Sequence, residues 1–113
     1  MSSGIKAEHL DRVDRIFEFM SRTFGDNFAY HEPRVLIHAF RTEPTTAKKI
    51  AAHMGDKPFS TVARWVNLMA REGWLEQRRD PEEARRTMVY ITERGRKFVK
   101  DLVRVTLDGT NKK

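Results

Sequence analysis

Apolar side chains recur at three- and four-residue intervals from Leu10 through Val13, Phe17, Met20 and Phe24, and Ile16 widens the stripe. That is the period of one helix face, and Glu8, Asp11, Arg12, Asp14, Arg15, Glu18 and Arg22 fill the other side. The pattern predicts a helix from about Lys6 to Phe24, ended by Gly25-Asp26. A second helix is predicted from near Pro33, a residue tolerated in a first helical turn. It carries Val35, Leu36, Ile37, Ala39 and Phe40 and must stop before Pro44. A short third helix, about Thr46 to Met54, has Thr45 or Thr46 as its cap and Ala47, Ile50, Ala51 and Met54 as its buried stripe. Gly55 then supplies a turn. A fourth helix, from about Phe59 to Glu72, turns Val62, Trp65, Val66 and Met69 inward and stops at Gly73.

Beyond Gly73 the period changes. Trp74 to Arg79 and Thr87 to Thr92 read as strands, joined by a polar loop that opens on Asp80-Pro81. A two-stranded hairpin is marginal alone, so this one must lean on the helices. Thr92 or Glu93 starts a last helix with Phe98, Val99, Leu102 and Val103 on its apolar side, ended by Asp108-Gly109. The order predicts a mainly α fold with a small β-hairpin: a winged helix-turn-helix with flanking N- and C-terminal helices. No repeat or long linker divides it, so residues 6–108 read as one domain between flexible tails at 1–5 and 109–113.

Composition narrows the partners. The 113 residues suffice for one compact domain, and 39% hydrophobic against 34% charged residues calls for an economical core. A net charge of +6 favours a polyanionic partner. The absence of cysteine excludes disulfides and Cys-ligated metals. No apolar run reaches membrane length, and the polar start lacks a secretory segment, so a cytoplasmic protein with no membrane association is expected. His9, His31, His38 and His53 are scattered without metal-ligand spacing, and neither a phosphate-cradling glycine loop nor a nucleophile elbow is present. The chain therefore reads as a non-enzyme without metal or cofactor.

In a helix-turn-helix the second helix enters the major groove and its first residues meet base edges. Here Ser60, Thr61, Ala63, Arg64, Asn67 and Arg71 remain on the exposed face of the fourth helix. Ser60 and Thr61 suit phosphates or bases, Ala63 a thymine methyl, Arg64 guanine and Asn67 adenine. Thr46, Lys48 and Lys49 precede them and suit phosphates. In the hairpin, Arg78, Arg85 and Arg86 are candidate contacts, with Arg85 suited to a narrow minor groove. Glu83 is placed to pair with Arg85 and hold the loop's shape. The reading is a sequence-specific double-stranded DNA-binding regulator, with repression the expected mode. The alternative is a winged-helix module that binds another protein.

The run from Ser60 to Val99 closely resembles the recognition helix and wing of the MarR transcriptional regulators. The matching segments are Ser60-Thr61-Val62, Gly73-Trp74-Leu75, Asp80-Pro81, Glu83-Ala84-Arg85 and Val89-Tyr90-Ile91-Thr92-Glu93-Arg94-Gly95. The resemblance implies a homodimer joined through the first and last helices, with Leu10, Val13, Phe17, Met20, Val99, Leu102 and Val103 as its contacts. Two recognition helices would then meet a pseudo-palindromic site about one helical turn (~34 Å) apart. It also implies that Arg85 is the wing-tip arginine and Glu83 its acidic partner, where the family has aspartate. A small aromatic ligand is a further implied partner, for which Phe28, Tyr30, Phe40, Trp65 and Trp74 are candidates, although core packing explains them more simply. Two other departures stand out: the turn Asp56-Lys57-Pro58-Phe59 is one residue longer than the family's, and the chain stops soon after a single C-terminal helix.

Overall fold

The structure, a computed structural model, describes Gly4, residues 6–55 and residues 57–108. The segments read as tails, Gly4 aside, and Asp56 of the lengthened turn lie outside the described residues. Seven elements follow in order: α1 (Ala7–Phe24), α2 (His31–Thr42), α3 (Ala47–His53), α4 (Phe59–Arg71), β1 (Leu75–Arg79), β2 (Thr87–Ile91) and α5 (Glu93–Asp108). They form two compact units. One comprises α1, the following loop to Ala29 and the turns of α5 from Lys100 onward; the other is Tyr30–Val99.

The Tyr30–Val99 unit is a winged helix-turn-helix. Its core is the set of apolar positions that the helical period selects: Val35, Leu36 and Ala39 from α2, Ile50 and Ala51 from α3, and Val62, Val66 and Met69 from α4. Each fully buried aliphatic side chain contributes roughly 1.5–3 kcal/mol of transfer free energy. Two helices differ from expectation at one position each. Trp65 is half-buried rather than core, stacked on His31 at 4.1 Å between ring centroids, and Ala47 is half-buried. Helix α2 begins two residues before Pro33, at His31. Between the two expected caps of α3, Thr46 is the one used: its side chain accepts a hydrogen bond from the Lys49 N–H at 3.2 Å.

The hairpin pairs antiparallel, from Leu75 opposite Ile91 to Arg79 opposite Thr87. It leans on the helices through a contact absent from the sequence reading. Thr45, fully buried, bridges Val89 by two backbone hydrogen bonds of 3.0 and 2.7 Å, and so adds a third, one-residue strand to the sheet. Glu43 reinforces the junction, accepting from the Ile91 N–H and from the Arg96 guanidinium, the latter at 2.8 Å. At the far end, Thr92 caps α5: its Oγ1 accepts from the Gly95 N–H at 3.1 Å and lies 2.7 Å from the Gly73 carbonyl oxygen, to which it donates.

In the other unit, α1 buries no residue. Lys6 N–H donates to His9 Nδ1 at its start, so His9 acts as a helix cap. Gly25, at φ +99°, ends the helix by donating to the Ser21 carbonyl. Leu10, Val13, Phe17, Val103 and Leu107 are all at least half exposed. Of the other residues that the resemblance places at a dimer contact, Met20 is half-buried, while Val99 and Leu102 are buried within the chain.

Candidate nucleic-acid interface

Helix α4 presents two faces. Val62, Val66 and Met69 turn inward, and Phe59, Ala63 and Asn67, spaced four apart, run along the flank of that stripe. That flank is one wall of a groove of about 400 Å³. The start of α3 contributes Thr46, Ala47 and Lys48, and the hairpin contributes Gln77, the loop residues Arg85 and Arg86, and Thr87 and Val89 of β2. Six residues expected from sequence to contact DNA therefore meet around one concavity: Thr46, Lys48, Ala63, Asn67, Arg85 and Arg86.

The other expected contacts do not line this groove. Ser60 and Arg64 are exposed one step around α4, Thr61 is half-buried, and Lys49 is exposed on α3. Arg64 lies near the His31–Trp65 stack: its charge, after burial itself, helps to hold the His31 pKa below the ordinary imidazole value. Arg78 is committed elsewhere on the hairpin. It forms a fork with the Glu76 carboxylate at 3.1 and 3.2 Å and lies 4.3 Å over the Tyr90 ring. The hydrogen bond and charge of Glu76 raise its pKa further.

The wing loop is organised by a pair other than the one expected. The Glu83–Arg85 ion pair does not form. Instead the Asp80 carboxylate accepts from the Glu82 N–H at 2.9 Å and pairs with Arg86 at 2.7 Å. Those two hydrogen bonds, the backbone one first, hold the Asp80 carboxyl below the usual carboxylate range. The reason is geometric. Asp80 sits at the start of the turn, where its side chain reaches the amide two residues on, an Asx turn of the kind aspartate favours before proline. Glu83 uses its backbone carbonyl, which accepts from the Arg86 N–H at 2.9 Å. Arg79 ties the loop from the other side by donating to the Ala84 carbonyl at 2.8 Å. Arg85 is left exposed and, among the described residues, without an ion-pair partner.

Five lining residues were not among the expected contacts, Ala47, Phe59, Gln77, Thr87 and Val89, and of these Phe59 is the aromatic one. It is 58% exposed at the first turn of α4. Spacing gave no signal for this exposure, because Phe59 stands three residues before Val62 and seven before Val66, in step with the inward stripe. The aromatic residues considered for a ligand are dispersed: Trp74 is buried edge-on to Phe98 under Arg94, Phe40 lies near Arg96, and Phe24 meets Phe28.

Three helices, a hairpin wing and the helix that follows it define the winged helix-turn-helix class. Solved structures similar to this chain carry that fold. RV1404 from Mycobacterium tuberculosis superposes with a TM-score of 0.71 at 18% identity, over 84% of this chain and 64% of its own. A MepR variant from S. aureus, bound to an oligodeoxyribonucleotide, gives 0.73 at 14% identity over 92% and 78%. The MarR family transcription regulator SP03579 gives 0.69 at 20% identity over 83% and 60%. This chain thus spans less than two thirds of the length of RV1404 and SP03579. No protein-family model and no curated protein matches the sequence.

Proposed function

We propose that the protein is a sequence-specific double-stranded DNA-binding transcriptional regulator of the MarR type, non-enzymatic, cytoplasmic and acting as a homodimeric repressor. The observation that carries this reading is the groove between α4 and the wing. Lys48 from α3 and the unpaired Arg85 from the wing line it together with the base-reading side chain types Ala63 and Asn67 of α4. Cations from α3 and the wing suit phosphates, which set register and affinity, while Ala63, Asn67 and the adjacent Arg64 suit base edges in the major groove. Arg85, released from Glu83, is free to enter a minor groove. The similar MepR variant bound to an oligodeoxyribonucleotide supports the same reading. Support for the dimer is the exposed row Leu10, Val13 and Phe17 on α1.

Selection of binding sites from random duplexes tests the proposal. A two-fold symmetric consensus is expected, with half-sites about one helical turn (~34 Å) apart. Enrichment without a consensus, or no enrichment, contradicts sequence-specific recognition.

A further inference from the structure

The inward stripe of α4 completes its packing without Phe59. A phenyl ring 58% exposed gives up most of the burial that would stabilise it, and it does so while lining a groove. The next residue on that face is Ala63, which keeps the strip apolar and low, and the one after is Asn67. Lys48 from α3 and Arg85 from the wing line the same groove. An occupant complementary to this arrangement has anionic edges and an apolar spot beside them. A DNA duplex supplies both. Its phosphates are the edges, and the C5-methyl group of thymine is the apolar feature of the major groove, where the other bases present hydrogen-bond donors and acceptors. A phenyl ring facing those polar edges would desolvate them without return.

We propose that Phe59 is a specificity-determining contact that recognises a thymine C5-methyl group in the major groove, with Ala63 alongside it. The proposal rests on the DNA-binding reading above. It adds a spacing rule. Phe59 and Asn67 are separated by eight residues, roughly 12 Å along the helix, or about three to four base-pair steps. The methyl-sensitive thymine and an adenine read by Asn67 fall within that distance in each half-site.

The test is binding by fluorescence anisotropy to the duplex obtained from selection, each thymine replaced in turn by deoxyuridine, which removes only the methyl group. The full chain is expected to show one thymine per half-site at which the replacement weakens binding about fourfold, the equivalent of one methyl transfer. In Phe59→Ala the same replacement is without effect, whereas Phe59→Leu, still apolar, keeps part of it. Circular dichroism checks that both variants fold. If every uracil duplex binds like the parent, or if Phe59→Ala keeps the full sensitivity, the proposal is overturned and DNA binding stands. If no duplex is selected at all, the underlying reading fails and takes the proposal with it.

Discussion

At the tip of the wing, Arg86 is held by the Asp80 carboxylate, while Arg85, one residue earlier, is exposed and unpaired among the described residues. The division gives Arg86 to the shape of the loop and, on the proposed reading, leaves Arg85 for DNA. Arg85→Ala is therefore expected to weaken binding to all duplexes about equally. The slope of log K against log salt should become shallower by about one phosphate contact, measured by anisotropy across a salt series. An unchanged salt slope would remove Arg85 from the interface. His38 is a residue of another kind. It is buried, its Nδ1 has no hydrogen-bond partner, and it stacks 5.8 Å from His53. Burial first, then the charges of Arg34, Arg41 and His53, hold its pKa below the ordinary 6.5. As pH falls the unfolded chain takes up this proton before the folded one. Stability is therefore complete above about 6.5 and declines below it. Thermal unfolding between pH 7.5 and 5 should show that decline, and a His38→Leu variant should show a shallower one. Equal slopes would exclude His38 as a source.

At the scale of elements, the helices were legible because each has a clear apolar period, and their ends because Gly25, Gly73 and the pair Glu43-Pro44 punctuate them. What escaped the sequence depends on distant partners. The bridge from Thr45 to Val89 joins residues far apart in the chain, and nothing in the local pattern around Thr45 distinguishes it from an ordinary cap. The Glu83–Arg85 expectation failed for a related reason: i, i+2 spacing in a turn says little, whereas an aspartate that opens a turn satisfies the backbone amide two residues on. Six of the expected contact residues surround one groove, whereas its aromatic, Phe59, was not legible there, because three- and seven-residue spacings to Val62 and Val66 place it with the inward stripe. Gly95 shows the opposite case, a motif residue whose reason emerges only from packing. A Cβ there would lie 2.5 Å from the Trp74 carbonyl oxygen and 2.8 Å from Ile91 Cγ1, and the first of these is backbone. Gly95→Ala is expected to cost about 1–3 kcal/mol in urea unfolding, as overpacking does. A neutral result would mean that the α5 start moves freely against the hairpin.

At the scale of the whole molecule, the net charge of +6 and the exposed apolar face of α1 set the two remaining expectations. Leu10, Val13 and Phe17 at least half exposed on one helix are a surface that a second copy would cover. Light scattering should give a dimer mass for the wild-type chain and a monomer mass for Phe17→Glu, with weakened binding to a two-fold symmetric duplex. A monomeric wild type would contradict the dimer. The central claim, recognition of a DNA sequence by the α4–wing groove, is tested most directly by comparing affinity for the selected duplex with that for a scrambled duplex of the same composition at physiological salt. The account predicts a preference of about a thousandfold or more. Equal affinity for the two duplexes would contradict it.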